Sequence, residues 1–153
     1  IPLQTKTMEK IEIKYNKKRL VLGIIIMMSL VIGVTYMAFF TKTFATNYIL
    51  KIVTVPLSLF MLYGIYTQLF RKVLDNNSVI TLTKTHIEIN EDGNPLTFSW
   101  SEIKDLRFEK EQSGKSEVDI LLIGSDTRSG KVNLSALEKS VDDIRSLIKS
   151  YRG

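Results

Sequence analysis

The chain has 153 residues, a formal net charge of +5 and 44% hydrophobic residues. It carries no cysteine, which excludes disulfides and thiolate metal sites. Up to Lys72, ten Lys and Arg stand against two acids (+8), and beyond it eleven stand against fourteen (−3), so the basic excess belongs to the first half and nucleic-acid binding is not expected.

Residues 1–7, IPLQTKT, read as an upstream extension, with Met8 as a natural start. The segment KIEIKYNKKRL then sets Lys10, Lys14, Lys17, Lys18 and Arg19 directly before an apolar run, giving a basic N-terminal segment over residues 1–19. Within it Ile11, Ile13 and Tyr15 alternate with Lys10, Glu12 and Lys14, the period of a strand. Two readings stay open for residues 10–15. One is an edge strand that pairs with the later domain; the other is a membrane-surface tail whose alternation is incidental.

Residues 20–40, LVLGIIIMMSLVIGVTYMAFF, hold no charge over 21 positions. A helix of that length is about 31 Å long, which matches a bilayer core. Residues 52–70, IVTVPLSLFMLYGIYTQLF, repeat the signal, and neither run shows the polar stripe of a globular core helix. A transmembrane hairpin over residues 20–72 is expected, with spans near 20–40 and 50–70. The first run is longer than a signal-peptide core and a second follows, so a cleaved leader is not expected.

Lys17, Lys18 and Arg19 precede the first span and Arg71 and Lys72 close the second, whereas the connection between them offers only Lys42 and Lys51. Positive flanks stay cytoplasmic, so both chain ends are expected inside, with the lipid bilayer as the first partner. Phe39, Phe40, Phe44 and Tyr48 gather at the far interface, and Lys51 can snorkel to the headgroups there. Ser29 with Gly33, and Thr54 with Ser58, form small-xxx-small pairs for helix approach, and Pro56 is a candidate kink. The spans hold no Asp, Glu, Arg or His, which disfavours an ion or proton path, and Gln68 reads as interfacial.

Residues 73–153 change to short alternating runs: Ile80 and Leu82, Ile87 and Ile89, then Leu96, Phe98 and Trp100. Glu91-Asp92-Gly93-Asn94 makes a turn between the second and third, with the Asp-Gly pair suited to positive φ. Ser101-Glu102 breaks the pattern before Leu106 and Phe108 resume it. After a turn at residues 112–115, Val118, Ile120 and Leu122 share a face; a polar loop, GSDTRSGK, leads to Val132 and Leu134. Ser135 with Glu138 reads as a capping box for a helix over about 136–151, whose apolar face is Leu137, Val141, Ile144, Leu147, Ile148 and Tyr151. Lys139, Asp142, Asp143 and Arg145 fall on its solvated side.

His86 and Glu88 share one side of a strand at metal-ligand spacing, but without a second His a zinc set would need carboxylates almost throughout, so no metal or other cofactor is expected. GSDTRSGK misses the phosphate-loop pattern by one residue and runs into a strand. No base is positioned beside a Ser or Thr, and no enzyme activity is expected. Trp100 alternates with Leu96 and Phe98, which favours a core anchor over a binding aromatic. Lys84 beside His86, with Arg128 and Lys131 in the later loop, is too sparse a basic set for phosphoinositide headgroups.

Six antiparallel strands followed by one amphipathic helix look like an α+β pleckstrin-homology-type (PH-like) sheet or barrel closed by its C-terminal helix. The step Leu96-Thr97-Phe98-Ser99-Trp100-Ser101-Glu102-Ile103 resembles that of bacterial PH-like domains, with Phe98, Trp100, Glu102 and Ile103 as its signature. KIEIKYNKK, two spans and this step, in that order, resemble a family of small bacterial two-span membrane proteins with a C-terminal cytoplasmic PH-like domain. Such a barrel uses one strand more than the six counted, a place residues 10–15 could fill. The resemblance implies residence in the bacterial cytoplasmic (plasma) membrane and brings no catalytic residues. The expected function is a non-catalytic, membrane-anchored interaction module with a protein partner or a second copy. Alternatives are an immunity or stress-protection protein acting through its spans, and a small transporter or channel accessory subunit.

Overall fold

The computed structural model describes residues 9–41, 48–91 and 93–153. The readings placed on residues 1–8, Lys42, Phe44 and Asp92 lie outside them. The chain forms two compact units: a helical one, Lys17–Asp75, and a β-rich one built from the segment ending at Asn16 together with Asn76–Gly153.

In the helical unit, α1 (Lys17–Phe40) and α2 (Tyr48–Leu74) run 24 and 27 residues, long and apolar enough to cross a membrane. Pro56 sits inside α2 without ending it. The irregularity comes later, as a single π-helical turn over Tyr66–Phe70 before a last α turn at Arg71–Leu74. The helices meet along a seam. Val31 and Ala38 are buried on α1, Thr54 and Ile65 on α2, and Thr35 Oγ1 lies 3.2 Å from Ser58 Oγ between them. Farther along, a Cβ on Gly23 would lie in ordinary contact with Leu69. The expected Ser29–Gly33 pair is not on this seam: both residues are exposed, nothing approaches Gly33, and Ser29 Oγ donates to its own helix at the Ile25 carbonyl. Only 11% of the most apolar stretch of either helix is buried. A core helix of a water-soluble domain would bury most of that surface.

The β-rich unit contains two antiparallel sheets. The first, in order β1 (Ile11–Ile13), β2 (Ile80–Leu82), β3 (His86–Glu91) and β4 (Asn94–Ser99), places the segment before α1 at its edge. Ile13, Ile80 and Ile89 stand in register, as do Leu82, Ile87 and Phe98, so the period-two alternation delivers one continuous buried face. Pro95 lies in β4, an edge strand, where a missing N–H is tolerated. The second sheet, β5 (Asp105–Ser113), β6 (Ser116–Gly124) and β7 (Ser129–Asn133), buries Leu121, Ile123, Gly130 and Val132. Gly114, at φ 64°, supplies the positive angle the tight β5–β6 turn requires.

Three expectations change here. The sheets do not close into a barrel: the chain turns out of β4 at Trp100–Ser101, and β5 pairs with β6 in a separate three-stranded sheet. On β6 the deepest side chains are Leu121 and Ile123, with Ile120 buried on the opposite face and Val118 and Leu122 half-buried, because this strand is apolar on both sides. The C-terminal helix, α3 (Val141–Arg152), starts later than residue 136. Its N-cap is Ser140, whose Oγ accepts from the Asp143 amide at 3.2 Å. Ser135 and Glu138 instead serve the N-terminal segment and the sheet. Asn16 N–H donates to the Ala136 carbonyl at 2.8 Å, Glu138 N–H to the Lys14 carbonyl at 2.9 Å, and Tyr15 bridges to Leu137. Asp119 N–H reaches Ser135 Oγ. Ile144 and Ile148 are the buried residues of α3, and the Tyr151 hydroxyl donates to the Glu9 carbonyl.

Candidate functional site: the signature turn and the basic flanks

The signature residues gather where the chain passes from the first sheet to the second. Phe98 is fully buried in β4 and Ile103 nearly so. Trp100 lies past the end of β4, in a turn, with its backbone N–H on the Thr85 carbonyl and its indole N–H donating to the Thr83 carbonyl at 2.8 Å. Its half-buried ring pins the turn to the β2–β3 connection, so Trp100 leaves the strand alternation that Leu96 and Phe98 keep. Glu102 holds Arg128 at 2.7 Å, and the Arg128 guanidinium sits 5.3 Å from the centre of the Phe98 ring.

Arg128 belongs to the β6–β7 turn, which is tight where a long polar loop is expected. Gly124 already pairs with Ser129, and Ser125 N–H donates to the Arg128 carbonyl while Arg128 N–H donates to Ser125 Oγ. Lys104 ties the same region together from the other side, with its N–H on the Gly124 carbonyl and its ammonium 2.6 Å from Asp126. The two connections are thereby clamped across the junction of the sheets. The sequence signal for the clamp is one acid and one Arg 26 positions apart, which no local pattern links.

Lys131 pairs with Glu111, and Arg128 with Glu102, so both loop cations are engaged by carboxylates. His86 Nδ1 lies 3.0 Å from Thr83 Oγ1 and 2.9 Å from Thr85 Oγ1, a hydroxyl cradle that caps the β2–β3 turn. Among the described residues no group of three or more His, Cys, Asp or Glu is placed to hold a metal.

The flanking cations sit at helix ends. Lys17, Lys18 and Arg19 form the exposed first turn of α1, and Arg71 and Lys72 the last turn of α2. At the other end of the helices, the Lys51 ammonium lies 5.7 Å from the Phe39 ring centre and 5.9 Å from that of Tyr48, a cation held by two aromatic faces. Gln68 is exposed within the π turn. Against this geometry, no protein-family model, curated protein or solved structure matches the chain.

Proposed function

We propose that the protein is a non-catalytic, membrane-anchored interaction module: α1 and α2 cross the cytoplasmic membrane of a bacterium as a hairpin, and the β-rich unit stands on the cytoplasmic side and binds a protein partner. The observation that carries the reading is the return of the chain to one folded unit. Residues 11–16 pair with β2 and with residues 136–138, so α1 leaves and α2 re-enters the same β-rich body. An even number of crossings satisfies that connection. The exposed apolar surface of both helices supports lipid as their solvent, since the faces off the seam, such as Ile32 (63% exposed), Ile52 (71%) and Phe60 (73%), hold no compensating charge. The basic helix ends support the inward orientation.

The binding surface assigned to the partner is the β5 edge and its hairpin tip. Residues 109–117, the end of β5 with its turn and the first residues of β6, are all exposed and carry no apolar side chain, and β5 is the outer strand of its sheet, open to main-chain pairing. The resemblance of the Leu96–Ile103 step to PH-like domains supports the same class of use.

Crosslinking and co-purification of the intact membrane protein from its host test this reading. A specific partner that is lost when residues 109–117 are replaced by a short Gly-Ser turn, with the membrane fraction unchanged, is the expected result. If a form ending at Lys72 keeps the cellular phenotype, the spans act alone and the proposal fails.

A further inference from the structure

Tyr63 stands on the outer surface of α2, 66% exposed, close to the middle of the apolar run over residues 52–70. The middle residue of that run is Met61, so the Tyr63 Cα lies about 3 Å from it along the axis, and the lean of helical side chains toward the helix N-terminus carries the ring back across the midpoint. The small hydroxyls of the spans are satisfied at home: Ser29, Thr35, Thr54 and Thr67 each donate to a carbonyl of their own helix. A hydroxyl at the end of a phenol ring does not reach back in that way, and the Tyr63 hydroxyl has no hydrogen-bond partner among the described residues. Tyr63 also belongs to a stripe. Ile52, Pro56, Leu59, Tyr63 and Tyr66 recur in alternating steps of four and three and are all exposed, the spacing of helices that pack side by side as a left-handed pair. Ile52, Pro56 and Tyr63 each precede by two positions a residue of the seam with α1, namely Thr54, Ser58 and Ile65; two positions turn a helix by about 200°, so the stripe lies opposite that seam.

From this arrangement we infer that the stripe is a contact between two copies of the chain, in which the α2 helices pack in parallel and the two Tyr63 hydroxyls hydrogen-bond to each other. Hydrogen-bond complementarity selects the occupant. Acyl chains offer neither donor nor acceptor, so in lipid the hydroxyl is left unsatisfied at the depth where that costs most. A second copy inserts in the same sense and brings the same group to the same depth. A two-fold axis along the membrane normal then sets residue 63 against residue 63, and a phenol hydroxyl donates and accepts at once, so the pair is self-complementary. Leu59 and Tyr66, one turn to either side, pack against their counterparts and keep the contact dry. The inference rests on the membrane reading above and adds a homodimer through the spans, which neither the hairpin nor the β-rich unit requires.

The test uses the full-length protein in phosphatidylcholine vesicles, with the dimer fraction read by energy transfer between copies labelled at Ser113→Cys as the protein-to-lipid ratio is varied. Dimers are expected, and Tyr63→Phe, which keeps the ring and removes only the hydroxyl, is expected to weaken dimerisation about five-fold. Tyr36→Phe, on the exposed surface of α1, is expected to leave it unchanged. Disulfide crosslinking reads the face directly, because the chain has no cysteine of its own. Leu59→Cys is expected to link two copies, and Phe60→Cys, as exposed but turned by about 100°, is expected not to. Monomers at every ratio, a dimer unmoved by Tyr63→Phe, or equal crosslinking at 59 and 60 overturns the contact. Flotation with the vesicles separates the two claims: protein that floats as a monomer refutes the contact alone, and protein that does not float refutes the membrane reading and the contact with it.

Discussion

Gly130 on β7 faces Ile89 on β3 so closely that a Cβ at position 130 would overlap the Ile89 Cδ1 atom, and it would also come within 3.3 Å of Phe98 Cε2. This is where the second sheet touches the first, and both partners are buried, Ile89 at 2% exposure and Phe98 at 0%. Gly130→Ala therefore forces the end of the buried Ile89 side chain to move in a packed site, and is expected to cost about 1–3 kcal/mol of unfolding free energy. Ile89→Val removes the offending Cδ1, so the double variant is expected to recover part of that loss, a coupling that denaturation of the four proteins of the cycle would read. Additive losses would mean that the sheets meet elsewhere.

The glycine was not legible for this role. Within GSDTRSGK it reads as one more loop residue, because a close approach between strands far apart in sequence leaves no local mark. The faces of the first sheet were legible, since Ile80, Leu82, Ile87, Ile89 and Phe98 alternate with polar residues and only one phase buries them. Val118 to Ile123 is different. With Ile120, Leu121, Leu122 and Ile123 in succession, alternation gives no phase, and the choice is made by the partners Phe108 and Val132 across the ladder. The seam of the helices follows the same rule: small residues at 29 and 33 match the pattern for close approach, but Thr35 and Ser58 supply the contact.

The expected helix start is Ser135, the first of two Ser-x-x-acid stretches, the second of which begins at Ser140. The structure uses the second because residues 136–138 are already engaged by the N-terminal segment. Ser140→Ala is expected to cost about 1 kcal/mol and to lower helical circular dichroism before the rest of the unit unfolds, as loss of an N-cap does. Ser135→Ala is expected to leave helicity unchanged. The reverse order of effects would restore the earlier helix start.

The N-terminal strand makes a direct claim on hydrogen exchange. Asn16 N–H donates to Ala136, Glu138 N–H to Lys14 and Val79 N–H to Ile13, three bonds that exist only while residues 13–16 are docked. Their amides are expected to exchange together, far more slowly than in an unfolded chain. Ile13→Ala, at a fully buried position, is expected to cost about 2–5 kcal/mol and to release all three. Unprotected amides at Asn16 and Glu138 beside a protected β3 would show that residues 10–16 are a loose tail.

The exposed pair Lys10–Glu12, at 2.7 Å on β1, sets a small pH dependence whose sign is fixed. The hydrogen bond between the two side chains, and then their charge attraction, lowers Glu12 below the ordinary 4.5 and raises Lys10 above 10.5, with Glu88 adding weakly to the second. Glu12 contributes above 4.5 and loses that contribution as pH falls through its depressed value; Lys10 contributes below 10.5 and loses it as pH rises through its raised value. The difference in stability between the protein and Glu12→Gln is expected to be flat between those limits, to shrink at both ends, and to weaken with salt because both groups face water. A difference that grows on acidification would place the pair's attraction in the unfolded chain instead.

Orientation is open to a chemical test because the chain has no cysteine of its own. Ser113→Cys, at the exposed tip of the β5–β6 hairpin, and Tyr48→Cys, 79% exposed at the first residue of α2, lie in different units, and the proposed topology puts them on opposite sides of the membrane. In intact cells an impermeant maleimide is expected to label Cys at 48 and to spare Cys at 113 until the membrane is opened. On the proposed topology the basic turns at Lys17–Arg19 and Arg71–Lys72 would hold this sense, so replacing all five cations by Gln, while adding Lys beside Tyr48, is expected to randomise or reverse the labelling. Labelling of both sites in intact cells of the unaltered background would place the β-rich unit outside, and labelling of both only after lysis would remove the outward crossing.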